Sequence, residues 1–305
     1  MFTTLVAVIA ALALGHVAPA LVGSLRRFRW YRQVLEWLGL QAGDGGFWRG
    51  RYGLWLALLP PVLLALLLQL LLAAPLLGLL GLLYGVLVLV WTWGPRDLDV
   101  DVEAALDATD PATRRARLDQ LAPEAGQAVA EGPALAGTVA RAALRRWFAV
   151  LFWFLLLGPA GAVLYRLCER AVAADAALLP AENAAGARRL LRWLEWPVAQ
   201  LMTLALALAG DFDRVFLGWR AAGGNRAQAD SGFLEAAARA AVSGELAEEA
   251  EDYRREGYPV IPGELPELRD AMSLVWRMLL LWLALLALLV IAGWVGCGTV
   301  SDSLV

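Results

Sequence analysis

The 305-residue sequence contains no lysine; all 26 cationic side chains are arginine. Histidine occurs once, at His16, and cysteine twice, at Cys168 and Cys297. Such sparse, scattered ligands exclude a zinc site built from neighbouring Cys and His, and they exclude a disulfide framework. The phosphate loop GxxxxGK[ST], the nucleophile elbow GxSxG and the zinc helix HExxH are all missing. Gly223-Gly224-Asn225-Arg226 is rich in glycine but lacks phosphate-loop spacing, and it reads as a connecting loop. With a formal net charge of −3 and no basic block interleaved with aromatics, nucleic acid is not an expected partner. No alternating run reads as a strand, and no period repeats. Abundant Ala, Gly, Leu and Pro beside scarce Ile and Asn is the composition of a GC-rich bacterial genome. The missing lysine therefore says little about chemistry.

What is present is apolar surface. Hydrophobic residues make up 60% of the chain and mean hydropathy is +0.60. Runs near 3–22, 54–72, 76–93, 147–165, 193–210 and 278–295 approach the ~20 residues that cross a hydrocarbon core. The expected fold is all-α: a polytopic α-helical membrane protein, one membrane-embedded domain over 1–305. Four to six membrane segments are expected, with polar helical regions at 94–146 and 211–269. Ala18-Pro19-Ala20 resembles a signal-peptide cleavage site, yet no basic residue precedes the first apolar run, so an uncleaved first span is preferred. His16, with no second imidazole, reads as a packing residue.

Arginine placement orients the chain. The N-terminus, the turn near Ala73-Ala74-Pro75 and the tail after Gly296 carry no Arg, and the expectation is that these three pieces are periplasmic. The segment 23–53 carries six Arg with Trp30, Tyr31, Trp37, Phe47, Trp48 and Tyr52, and it reads as an interfacial helix. Crossings at 3–22, 54–72, 76–93 and 278–295 satisfy the arginine rule, and 147–165 and 193–210 must then both cross or both not cross. Crossing would put the five Arg of 166–192 outside. The alternative makes 147–165 a re-entrant pair of half-helices broken at Gly158-Pro159-Ala160-Gly161, because proline supplies no N–H. Cys168 is then cytoplasmic and Cys297 periplasmic.

Between these runs the polar pieces read as helices. Asp110-Pro111 starts one, with Asp as N-cap and Pro in the first turn. Leu98, Val102, Ala105 and Leu106 share a face of another. The region 166–192 reads as a short link. Helices near 233–242 and 245–256 are separated at Ser243-Gly244, and a last helix starts at Pro266. The candidate site residues are charged. Asp97, Asp99 and Asp101 imitate a metal-binding set but read more simply as acids complementing a helix start; no metal or other cofactor is expected. Arg141 and Arg145 share a face beside Arg146, a repulsive arrangement that an anion would relieve. Lipid phosphate is the simple partner, and a bound anionic metabolite the sharper one. Arg96, Asp97, Asp99 and Asp101 leave the hairpin where Arg141, Arg145 and Arg146 re-enter. The two groups are expected to face each other and close 94–146 over the central helix as a lid, with Arg166 nearby and Gly158, Pro159 and Gly161 shaping a pocket.

Gly94-Pro95-Arg96-Asp97-Leu98-Asp99-Val100-Asp101-Val102-Glu103, the stretch from Leu151 to Leu167, and Leu194-Glu195-Trp196-Pro197-Val198-Ala199 followed by Gly210-Asp211-Phe212-Asp213 resemble the AmpE family of inner-membrane proteins. The resemblance runs in order over most of the chain. It implies a multi-pass inner-membrane modulator of β-lactamase induction and of the response to β-lactam antibiotics. Its implied partners are a cell-wall metabolite or a cell-wall recycling protein. AmpE is in turn similar to the CobD/CbiB family, which uses ATP to attach an aminopropanol arm to a corrinoid. The Glu-Asn pair and Asp of that family fall here on Arg141, Ala142 and Arg145. Its Arg-x-Asp-Asp segment falls on Arg189, Leu190, Leu191 and Arg192, and a following Asn on Glu195. ATP enters only through that analogy, and the carboxylates needed for Mg²⁺ and proton transfer are replaced. A non-catalytic role is the expectation, with a membrane synthase as the alternative.

Overall fold

The computed structural model describes residues 2–17, 28–41, 47–50, 52–73, 78–93, 97–121, 132–173, 175–226, 228, 230–256 and 265–292. Among these, every regular element is helical. The chain begins with α1 (Phe2–Val17), α2 (Arg29–Gln41), α3 (Gly53–Leu71) and α4 (Gly78–Thr92), of which α2 is amphipathic and the other three apolar. The shorter, more polar α5 (Leu98–Leu106) and α6 (Pro111–Leu121) follow and pack on each other. Next, α7 (Ala134–Ala143) passes through a π-helical turn at Leu144–Phe148 into α8 (Ala149–Leu157), and α9 (Pro159–Ala173) follows. The chain then forms α10 (Ala181–Ala209), α11 (Phe212–Ala221), α12 (Gly232–Arg255) and α13 (Pro266–Ile291).

Two of these helices, α3 and α13, are long and apolar enough to cross a membrane; α4 is apolar but shorter. Leu59, Leu63, Leu67 and Leu70 are exposed along α3, as are Leu285 and Leu288 on α13. Their opposite faces enter two buried clusters. One runs through α1, α4, α7, α8, α10, α12 and α13, around Phe148, Phe154, Val198 and Leu274. The other joins α2, α3 and α9 around Tyr31, Leu35, Leu58 and Leu167. Each such side chain contributes on the order of 1.5–3 kcal/mol by leaving water.

The central apolar stretch is two helices. Gly158 has φ +71°, a left-handed value that any Cβ would penalise, and the chain reverses there. Helices α8 and α9 then pack against each other, so closely that a Cβ on Gly161 would strike the Trp153 carbonyl. The backbone groups freed at the tip are met by one side chain of α3. Gln69 donates from Nε2 to the Leu157 carbonyl at 3.3 Å and accepts the Ala160 N–H through Oε1 at 3.2 Å. Buried backbone needs such partners, and here one amide supplies both. At the far end of the hairpin, Arg166 of α9 donates to the carbonyls of Thr92, at the end of α4, and Arg145.

Several expectations change. The link expected over 166–192 is largely helical, forming the end of α9 and the start of α10. The break expected at Ser243-Gly244 is absent, since α12 runs through it. A helical glycine costs ~1 kcal/mol, and here the Arg214 side chain lies where its Cβ would be, 2.7 Å away at Cδ. The apolar run 193–210 is the second half of the longer α10, and 278–295 falls mostly within α13. Asp110 caps α6 as expected, accepting the Thr113 N–H at 2.9 Å. The turn at 74–77, the residues 94–96 with Arg96, and the tail with Cys297 lie outside the described residues.

Candidate functional site

The π-helical turn decides where the arginines go. It arises because the Ala149 N–H bonds the Leu144 carbonyl, five residues back rather than four. Arg166, itself almost fully buried, reaches the carbonyl of Arg145 with Nη2 at 3.5 Å, that of Thr92 with Nε at 2.6 Å, and Glu169 with Nη1 at 3.1 Å. It is a structural clamp between α4, α9 and the turn. It does not line the site below.

From this turn, consecutive arginines take different partners. Arg146 pairs with Asp101 of α5 at 2.6 Å and donates to the Gln120 carbonyl at 2.8 Å. Arg145 pairs with Glu195 of α10 at 2.6 Å, the two side chains 7% and 2% exposed. Arg141, one turn earlier, pairs with Glu235 in the first turn of α12. The close approach of α7 to α12 requires Gly137, whose missing Cβ would sit 3.0 Å from the Glu235 Cβ. Of the expected confrontation of Asp97, Asp99 and Asp101 with Arg141, Arg145 and Arg146, the contact between Asp101 and Arg146 is formed. Asp99 instead accepts the indole N–H of Trp276 at 3.3 Å, and Asp97 occupies the N-cap of α5.

Arg141 and Arg145 turn instead toward a cavity of about 650 Å³ that they line with Arg188, Arg192, Glu195 and Asp230. The α10 residues stand at i, i+4 and i+7, one face of a helix. Ser231 and Asp230 place the start of α12 on the wall, with Asp230 Oδ1 accepting the Gly232 N–H at 3.2 Å. A helix start adds partial positive charge to an already cationic wall. Arg188 and Arg192 are exposed, and among the described residues neither has a carboxylate within ion-pair distance. Their like charges, a turn apart, repel unless something anionic sits between them. The cavity therefore holds a net excess of guanidinium over carboxylate, in a volume suited to a small molecule.

Nothing at this place resembles a metal site. Among the described residues no three His, Cys, Asp or Glu side chains converge to hold an ion. Cys168 is fully buried, and that burial pushes its thiol pKa up, so it is no nucleophile.

The sequence singled out Arg141 and Arg145 as site residues but missed Arg188, Arg192, Glu195, Asp230 and Ser231. The spacing Arg188, Arg192, Glu195 was the available signal. No family model, curated protein or solved structure matches this chain.

Proposed function

We propose that this chain is a multi-pass inner-membrane protein that binds a small anionic ligand at its cytoplasmic side and acts as a non-catalytic modulator, in the manner its resemblance to AmpE implies. The observation carrying this reading is the arginine-lined cavity, where Arg188 and Arg192 have no carboxylate partner among the described residues. An enzyme forming an amide at the expense of ATP would want carboxylates there for Mg²⁺ and protons. The cavity has Glu195, already paired with Arg145, and Asp230, already on a backbone N–H. The positions that align with the acids of the synthase family, at 141, 145, 191 and 192, border this one cavity. The alignment thus favours a related pocket whose chemistry has become anion recognition.

Membrane placement rests on arginine distribution together with the exposed leucines of α3 and α13. The re-entrant alternative for 147–165 gains support from the fold-back at Gly158. The matching reading of 193–210 gains support from its two ends. Glu195 meets Arg145 at one, and at the other a Cβ on Gly210 would lie 3.9 Å from the carboxylate of Glu245, the partner of Arg277. Four crossings then suffice, with 94–146 and 211–269 cytoplasmic.

The test is binding to the purified protein in detergent, with inorganic pyrophosphate and a muramyl peptide as probes. Arg188→Glu with Arg192→Glu is expected to abolish saturable binding and, in cells, to reproduce the β-lactamase phenotype of a deletion at normal membrane levels. Saturable binding of neither probe to the wild type, or an unchanged phenotype in the variant, would overturn the reading.

A further inference from the structure

The four arginines of the cavity are not equivalent. Arg141 and Arg145 already meet Glu235 and Glu195, whereas Arg188 and Arg192 have no carboxylate partner among the described residues. Arg192 folds back along α10 and donates from Nε to the Arg188 carbonyl at 3.4 Å. That bond holds its guanidinium toward the Arg188 turn and leaves Nη1 and Nη2 to a ligand. The remaining lining acid, Asp230, engages the Gly232 N–H at the start of α12, whose partial positive charge offsets its own. A carboxylate has one charge and two oxygens, and a single guanidinium fork occupies both. A phosphoryl group carries about −1.5 to −2 charges at neutral pH and has three terminal oxygens, so two forks can share it.

We propose, resting on the anion-binding reading above, that the cavity selects a doubly charged phosphoryl group, held by Arg188 and Arg192 together without a metal ion. The ligand class is a phosphomonoester or a terminal diphosphate, in preference to a carboxylate. Sites that meet phosphate through Mg²⁺ supply carboxylates to the ion. Here Glu195 is paired with Arg145, and the guanidiniums meet the phosphoryl charge directly. Mg²⁺ would therefore compete with the protein for the same oxygens. Beside the arginines, Val172, Ala173, Ala176 and Leu191 give the cavity of about 650 Å³ an uncharged wall for the rest of the molecule. A soluble phosphorylated metabolite and the headgroup of a phosphatidic acid share this chemistry.

Titration calorimetry of the full chain in detergent tests this with sulfate, inorganic phosphate, acetate and dimethyl phosphate. Sulfate is doubly charged throughout, acetate and dimethyl phosphate are single anions, and phosphate gains its second charge near neutral pH. Sulfate is expected to bind roughly tenfold or more tighter than either single anion, the factor that one charge-assisted hydrogen bond supplies. Phosphate should tighten between about pH 6 and 8 while sulfate does not. Glu195, Glu235 and Asp230 border the arginines, and Glu169 acts on Glu195. Titration of these acids would move both anions alike, so the difference belongs to the phosphate. Arg188→Gln and Arg192→Gln, at exposed positions, should each erase the preference for double charge. MgCl₂ should weaken the binding of inorganic pyrophosphate. Glycerol phosphate and dioleoyl phosphatidic acid separate the sources: binding of the first assigns a soluble ligand, binding of the second alone a lipid, and either upholds the class. Single anions binding as tightly as sulfate, or Mg²⁺ strengthening pyrophosphate, would overturn the proposal and leave an anion site standing. Binding of no anion at all would remove both.

Discussion

Arg145 and Glu195, fifty residues apart in sequence, form an ion pair at 2.6 Å with both side chains buried. One comes from the π-helical turn and the other from the middle of α10, so the pair ties the central hairpin to the wall of the arginine cavity. Such a pair contributes little net stability against an apolar replacement, but removing one partner leaves a buried charge. Arg145→Met is therefore expected to cost about 3–5 kcal/mol. Arg145→Met with Glu195→Leu should recover most of it. Thermal unfolding in detergent reads both, and an additive double variant would show that the pair is not coupled.

The hairpin tip gives a second prediction. Gln69 supplies both the donor and the acceptor that the reversal at Gly158 leaves wanting. Gln69→Leu keeps the volume and strands two backbone groups, at a cost of roughly 1–3 kcal/mol each. Pro159→Ala, by contrast, should change stability little, because Pro159 stands in the first turn of α9, where proline costs nothing. Equal melting temperatures for Gln69→Leu and the wild type would show that the tip is satisfied in some other way.

Topology needs a better probe than the native cysteines. Reading the arginines alone, an impermeant thiol reagent should spare a cytoplasmic Cys168. The structure gives a different reason for the same result, since Cys168 is fully buried and its thiol pKa is raised. Sparing it would say nothing about sidedness. In a Cys297→Ser background, Ala73→Cys at the end of α3 and Glu248→Cys on α12 are both exposed positions. Labelling of Ala73→Cys in intact spheroplasts, with Glu248→Cys labelled only after lysis, is the expected result. Labelling of Glu248→Cys from outside would sink the four-crossing arrangement.

How much of this was readable beforehand differs by feature. The apolar runs, the Asp110 cap and the weakness at Gly158-Pro159-Ala160-Gly161 follow from hydropathy and backbone chemistry, which are local, and they recur in the structure. The continuity of α12 through Gly244 depends on the Arg214 side chain from α11 occupying the space, a tertiary fact that propensity cannot carry. The arginine cavity was half visible. Arg141 and Arg145 stood out as repelling neighbours, but Arg188 and Asp230 come from segments whose proximity only folding creates. Gln69 was hidden among leucines, with nothing local to mark its partner.

The π-helical turn supports the last prediction, because it sorts adjacent arginines between partners. From sequence, Arg145 was the expected partner of Asp99 or Asp101. In the fold Arg146 takes Asp101, while Arg145 takes Glu195 on another helix. Neighbouring helix positions point about 100° apart, and with the π-helical turn at Leu144–Phe148 the two cations reach different helices, α5 and α10. A charge swap tells these wirings apart. Arg146→Asp alone should bring a second carboxylate against Asp101 and loosen α5 from the central helix. Arg146→Asp with Asp101→Arg should restore the contact with its sign reversed and recover much of the loss. Arg145→Asp with Asp101→Arg should recover nothing, because Glu195 would still face an acid in a buried place. The readout is limited proteolysis of the α5–α6 segment beside β-lactamase induction in cells. Rescue by the Arg145 double variant, with none by the Arg146 pair, would mean that the turn places the two arginines the other way round.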